Sequence, residues 1–227
     1  MKKLGLLGGT SYPSTILYYQ RLNELVNQEK GANHSCPLIL YNIDYEPIKS
    51  RYKEGWDEIP DILKKEIQTL LDMNPDSLMI CNNTLHKAFD KIKNELKLNI
   101  PVFHCIELTI EELAKTQEVK KVVLLGTRFT MEDGYFKEPL QKAGYEVLIP
   151  NEAERIQIQE IQTQLARGIL EKDFIDYFQK LMESYVICDK IILACTELPL
   201  VFNHIKTDKI INTLELQCRK AVDFLLI

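Results

Sequence analysis

The sequence predicts an α/β protein built from two pseudo-symmetric parallel-sheet domains, and three observations carry that prediction. Short apolar runs alternate with longer amphipathic stretches along all 227 residues. That is the pattern of strands covered on both faces by helices. Lys2-Lys3-Leu4-Gly5-Leu6-Leu7-Gly8-Gly9-Thr10 is echoed 118 positions later by Lys120-Lys121-Val122-Val123-Leu124-Leu125-Gly126-Thr127. Leu78-Met79-Ile80-Cys81-Asn82-Asn83-Thr84 is echoed 114 positions later by Ile192-Leu193-Ala194-Cys195-Thr196-Glu197. Two echoes at nearly one offset mark a repeated unit.

Each element has a local reason. Residues 4–7 form an apolar strand that Gly8-Gly9 turns sharply. Thr10 or Ser11 can cap the helix that follows, with Pro13 in its first turn; Gly31 ends that helix. A strand is expected over 37–43, and an irregular segment over 44–56 that carries Arg51 and Tyr52. An amphipathic helix is expected over 60–73. A strand at 77–80 leads into a helix over 84–96, a strand at 100–103 and a helix over 106–115. The second half opens with a strand at 121–125 and a helix over 131–143 that Gly144 terminates. A strand at 146–149, helices over 152–170 and 173–186, the strand at 190–194 and a final amphipathic helix over 213–226 complete the chain. No Gly/Ser-rich linker separates the halves. The expected domains are 1–97 joined by the C-terminal helix 212–227, and 98–211, packed closely with a cleft between them.

Composition narrows the function. A net charge of −5 argues against a nucleic-acid binder, which needs a basic surface for phosphates. No apolar run approaches the ~18–20 residues of a membrane span, and the start shows no secretory signal pattern. Cys36, Cys81, Cys105, Cys188, Cys195 and Cys218 include no CxxC pair. The expectation is a cytoplasmic protein with reduced thiols and no metal site. Cys36, Cys105, Cys188 and Cys218 read as small buried hydrophobes.

The chemistry concentrates in three loops at strand ends, where open α/β sheets place ligands. Gly8-Gly9-Thr10-Ser11 is either a tight turn that needs glycine or a set of amides aimed at a carboxylate. Cys81-Asn82-Asn83-Thr84-Leu85-His86 sets a thiol near a helix N-terminus, which lowers a cysteine pKa from about 8.5. Its Asn and Thr side chains can hold a small zwitterion. His86 either supports the fold or tunes the thiol. In Cys195-Thr196-Glu197, the carboxylate can accept a hydrogen bond from the thiol and help ionise it, or can simply favour a helix start. Thr127 either caps a helix or meets a ligand. Two thiols facing one cleft can take a proton from one face of a carbon and return one to the other.

On these residues the chain resembles the aspartate/glutamate racemase family. The resemblance rests on Gly5-Leu6-Leu7-Gly8-Gly9 with Ser14-Thr15, on Cys81-Asn82-Asn83-Thr84-Leu85-His86, on Leu125-Gly126-Thr127-Arg128-Phe129-Thr130-Met131, and on Cys195-Thr196-Glu197-Leu198-Pro199. It implies cofactor-independent racemisation of an amino acid by a catalytic pair, Cys81 and Cys195, in a homodimer. It implies substrate contacts from Thr10, Ser11, Arg51, Tyr52, Asn82, Asn83, Thr84, Thr127 and Thr196, with Glu197 supporting Cys195. Arg51 stands where aspartate-specific members place a carboxylate-binding arginine; where they carry a later lysine, the nearest residues here are Ala166 and Arg167. The alternatives are a hydantoin racemase or maleate isomerase of the same superfamily, or an inactive small-molecule binding protein.

Overall fold

The computed structural model describes residues 1–227. The chain divides into two compact units, residues 1–105 with 217–227, and residues 106–216. The first unit therefore runs on through Phe103–Cys105, past the boundary at 97 that the sequence pattern gave. Leu78 pairs with Val102 in a single bridge, and Phe103 donates its amide to the Leu78 carbonyl. These bonds hold that stretch to the first sheet.

In the first unit, β1 (Leu4–Gly8), α1 (Tyr12–Lys30), β2 (Leu38–Asn42), α2 (Glu46–Lys49), α3 (Ile59–Leu71), β3 (Ser77–Ile80) and α4 (Leu85–Leu96) follow in order. The chain crosses to the second unit inside the first turn of α5 (Cys105–Ala114). The three strands lie in the order β2-β1-β3, all parallel, with Leu4–Leu7 registered against Ser77–Ile80. The core sets Leu7, Leu78 and Ile80 against Leu63, Ile67 and Leu70 of α3 and Leu85, Phe89 and Ile92 of α4. Every residue of β1 and β3 is buried. This is why these strands read as solid apolar runs and not as alternating ones.

The second unit comprises β4 (Lys121–Gly126), α6 (Arg128–Glu132), α7 (Gly134–Lys142), β5 (Glu146–Leu148), α8 (Glu152–Leu165), α9 (Lys172–Ser184), β6 (Lys190–Ala194), α10 (Pro199–Phe202) and β7 (Ile210–Asn212). Its parallel sheet has the order β5-β4-β6-β7. Removing the edge strand β7 leaves the order of the first unit, with β4, β5 and β6 in the places of β1, β2 and β3. The last helix, α11 (Thr213–Leu225), starts in the second unit and ends in the first.

The helix α10 and the strand β7 form where none was expected, α8 stops at Leu165 and not at 170, and three further elements differ from the sequence expectation. The strand expected at 100–103 is reduced to the one bridge, because Pro101 has no N–H to give a ladder. The helix expected over 131–143 is two helices, broken where Asp133 turns extended and accepts from the Tyr135 amide. The segment at 44–56 is not wholly irregular: α2 forms there, and a 3-10 turn at Trp56–Glu58 closes it. No helix is long and apolar enough to cross a membrane.

Candidate active site

In each unit, an inner strand ends in glycine and a cysteine directly follows the strand beside it. β1 ends at Gly8, and Cys81 follows β3 directly. β4 ends at Gly126, and Cys195 follows β6 directly. In both sheets this is where strand order reverses, the position at which α/β folds open a crevice for ligands.

In the first unit the glycine turn brings Thr10 to the cysteine. Gly9 has φ +88°, and a Cβ there would stand 2.2 Å from the Ile43 carbonyl oxygen, so only glycine fits. The turn delivers Thr10 Oγ1 to the Cys81 carbonyl at 3.0 Å. The Gly9 amide donates to Thr15 Oγ1 at 3.0 Å. That donor is spent inside the turn, not offered to an anion. Ser11 occupies the cap position of α1, but its side chain makes no capping bond; Ser14 Oγ donates to Ser11 Oγ instead.

The Asn82 side chain works on the fold. Its Oδ1 accepts the Leu85 amide at 2.9 Å, which starts α4, and its Nδ2 donates to the Tyr45 hydroxyl at 3.3 Å. Tyr45 shares a short hydrogen bond with Tyr52. Asn83 and Thr84 are buried. His86 is fully buried, with Nδ1 on the Asn82 carbonyl at 2.9 Å. Burial, then the neighbouring His104, lowers its pKa to about 3, so the ring is neutral. Arg51 is engaged elsewhere: Nε meets Glu58 at 2.6 Å, and Nη1 donates to the Pro47 carbonyl.

The expectation of a lowered Cys81 pKa is overturned. Burial pushes this thiol well above the ordinary cysteine range, and the buried Cys218 adds to the effect.

In the second unit the Cys195 thiol donates to Glu197 Oε2 at 2.9 Å, and Thr196 Oγ1 donates to the same oxygen at 3.0 Å. All three residues are buried. Burial raises the Cys195 pKa well above its usual value, and the Glu197 charge raises it further. The carboxylate thus accepts from the thiol as expected, but it opposes ionisation while it carries its own charge. Thr127 caps α6 by accepting the Thr130 amide at 3.2 Å, and its hydroxyl lies 3.0 Å from that of Thr130. A Cβ on Gly126 would come within 3.1 Å of the Ala194 carbonyl oxygen, so the glycine lets β4 end tight against the cysteine strand. Nowhere do three His, Cys, Asp or Glu side chains gather as they would to hold a metal ion.

The family model described as Asp/Glu/Hydantoin racemase matches residues 7–221. The chain belongs to this racemase family. Its sequence is 25% identical over 223 residues to the broad specificity amino-acid racemase RacX of Bacillus subtilis (strain 168), covering 90% of this chain and 89% of that one. A glutamate racemase from Aquifex aeolicus is 28% identical over 138 residues, 60% of this racemase and 52% of that protein. The crystal structure of an aspartate racemase homologue from Pyrococcus horikoshii OT3 superimposes with a TM-score of 0.83 at 31% identity, covering 100% of both chains.

Four residues of the Cys81 surroundings escaped the sequence reading: Tyr18, Tyr45, His104 and Gln217. Gln217 left one signal. It is a polar residue on the apolar stripe of α11, beside Leu214, Cys218, Ala221 and Val222, all buried. A polar group at such a place must have partners.

Proposed function

We propose that this racemase inverts the α-carbon of a free amino acid by two-base proton transfer between Cys81 and Cys195, without a pyridoxal cofactor. The observation that carries this is the placement of one buried thiol directly after the switch-point strand of each parallel sheet. One sulfur acts as thiolate and takes the Cα hydrogen, becoming S–H. The electron pair left behind spreads into the carboxylate as an enediolate. The other S–H gives its proton to the opposite face and becomes the thiolate, and the roles reverse for the other enantiomer. General base catalysis supplies about 10²–10⁴ in rate. Positioning and stabilisation of the enediolate charge must supply the larger share.

Glu197 gives the resting protein a way to begin. When substrate displaces water, the Cys195 proton can pass along its existing hydrogen bond to Glu197, leaving thiolate and a neutral acid. Asn82, Asn83, Thr84 and Thr196, with Thr10, Ser11 and Thr127 at the glycine turns, are the proposed substrate contacts. Arg51 and Tyr52 are the proposed contacts to the substrate side chain. The Arg51–Glu58 pair is half exposed, and such pairs are worth about 0–1 kcal/mol. A substrate carboxylate could replace Glu58 at small cost.

The test is isotope exchange in D₂O with each enantiomer of aspartate and glutamate, a neutral amino-acid panel, a 5-substituted hydantoin and maleate. Deuterium is expected at Cα of an amino acid, with conversion to the other enantiomer, and neither Cys81→Ala nor Cys195→Ala should racemise. Exchange confined to the hydantoin, or isomerisation of maleate alone, would move the substrate to that class. Binding of an amino acid without any exchange would make the chain a binding protein. The reading includes a homodimer, tested by light scattering. It also includes a cytoplasmic home, to which six free thiols are suited.

A further inference from the structure

Three consecutive carbonyls around Cys81 are held by buried side chains from three separate elements. The Ile80 carbonyl accepts from Gln217 Nε2 in a long bond of 3.5 Å, the Cys81 carbonyl from Thr10 Oγ1 at 3.0 Å, and the Asn82 carbonyl from His86 Nδ1 at 2.9 Å. The ladder between β1 and β3 ends at Leu7 and Ile80. The Cys81 amide still donates to the Leu7 carbonyl at 3.0 Å, and the side chains fix the carbonyls that follow.

Gln217 and His86 are fully buried, and a buried polar group is costly unless it is bonded. Both are bonded in a way that assigns each atom. Gln217 Nε2 also donates to the Phe103 carbonyl at 2.8 Å, and its Oε1 accepts the Tyr18 hydroxyl at 2.6 Å. Two carbonyl partners require the amide nitrogen at that position. His86 Nδ1 faces one carbonyl, and Nε2 accepts the Cys105 amide at 3.4 Å, so the ring is the Nδ1–H tautomer.

The partners sit where the chain changes units. It leaves the first unit after Cys105 and returns at Gln217. His86 therefore joins the Cys81 loop to the outgoing crossing, at Cys105. Gln217, the first residue of the return, bonds both the residue before Cys81 and Phe103, two residues short of the outgoing crossing.

The geometry points to His86 and Gln217 as positioning residues for racemisation, which tie the peptide carrying Cys81 to both segments where the chain passes between its units. This rests on Cys81 being one of the proton-transfer thiols. Proton transfer between sulfur and carbon tolerates little error, and a displacement of about 1 Å can cost ~10²-fold.

Three variants test it. His86→Leu removes the ring's contacts to the Asn82 carbonyl and to the Cys105 amide and sulfur. His86→Asn keeps an N–H donor where Nδ1 stands. Tyr18→Phe deletes only the hydroxyl that orients the Gln217 amide and leaves the ring in the core. The expected result is a kcat about 10–100-fold lower in His86→Leu with little change in KM. Most of that loss should return in His86→Asn, and Tyr18→Phe should show a smaller kcat loss, also without a KM change. Alkylation by iodoacetamide, followed at each cysteine by mass spectrometry, gives a readout independent of turnover. Cys81 should react faster in His86→Leu and Tyr18→Phe, with Cys195 unchanged. A wild-type protein that exchanges no substrate proton sinks the racemase mechanism, and the alkylation pattern still decides the clamp. Folded His86→Leu and Tyr18→Phe proteins with wild-type kcat and wild-type Cys81 alkylation overturn the clamp, as does no recovery in His86→Asn. Should His86→Leu fail to fold, Tyr18→Phe decides alone.

Discussion

At Cys195 a carboxylate oxygen 2.9 Å from the sulfur does two opposing things. Its charge, added to burial, makes the thiolate costly; its lone pair offers the thiol proton somewhere to go. The two effects separate in Glu197→Gln. Burial still raises the Cys195 pKa there, but the neighbouring negative charge is gone, so the thiol ionises at lower pH than in the wild type. The expected outcome is a Cys195 alkylation-versus-pH curve shifted to lower pH, an unmoved curve for Cys81, and slower racemisation because the proton acceptor has been lost. A Cys195 curve that stays in place would mean the carboxylate does not act on the thiol. At this scale the sequence announced much: the repeat picked out two cysteines from six, and adjacency picked out Glu197. It did not announce Gln217 or Tyr18, because their partners lie 199 positions apart and no local pattern encodes such a pair.

Among the elements, strands were legible where both faces are buried and helices where a stripe is. β3 and β6 could be read to the residue, since each is a solid buried apolar run behind one polar first residue, Ser77 or Lys190. The break at Asp133 was hidden because the apolar spacing runs through it; the interruption comes from a side-chain oxygen on a backbone amide, which hydropathy does not register. β7, only Ile210–Asn212, is too short to show any period. The start of α8 is held by a reciprocal pair: Asn151 Oδ1 accepts the Glu154 amide, and Glu154 Oε2 accepts the Asn151 amide. Asn151→Ala should lower stability by about 1 kcal/mol. It should move the urea midpoint to lower denaturant. An unchanged midpoint would mean that the exposed cap is not holding the helix.

For the molecule as a whole, the two units differ in how they are assembled from the chain. The second is one continuous stretch, 106–216; the first needs residues 217–227 to complete it. Cys218, Ala221, Val222 and Leu225 of that tail are buried, and Lys2 donates its amide to the Leu225 carbonyl. A chain ending at Leu216 loses those apolar contacts, each worth about 1–3 kcal/mol for a buried aliphatic side chain, together with the three Gln217 bonds to Tyr18, Ile80 and Phe103. Limited proteolysis of that truncated chain should degrade residues 1–105 and spare a fragment near 106–216. Equal resistance of both parts would show that the tail adds little. The duplication of the α/β unit was legible from the two sequence echoes, though the strand order was not. The place where the final helix changes units was not, because amphipathic spacing continues unbroken across Leu216.

Nested connectivity of this kind also sets an order of events during synthesis. Domains generally fold as they emerge. Here the inserted half is complete in the growing polypeptide before the half that surrounds it. Gln217, which braces the Cys81 peptide, is translated after the whole of the inserted half. A nascent chain that has reached only Leu216 therefore carries both cysteines but lacks the brace on one of them, and the Cys81 peptide is fixed only once the returning segment follows the inserted half.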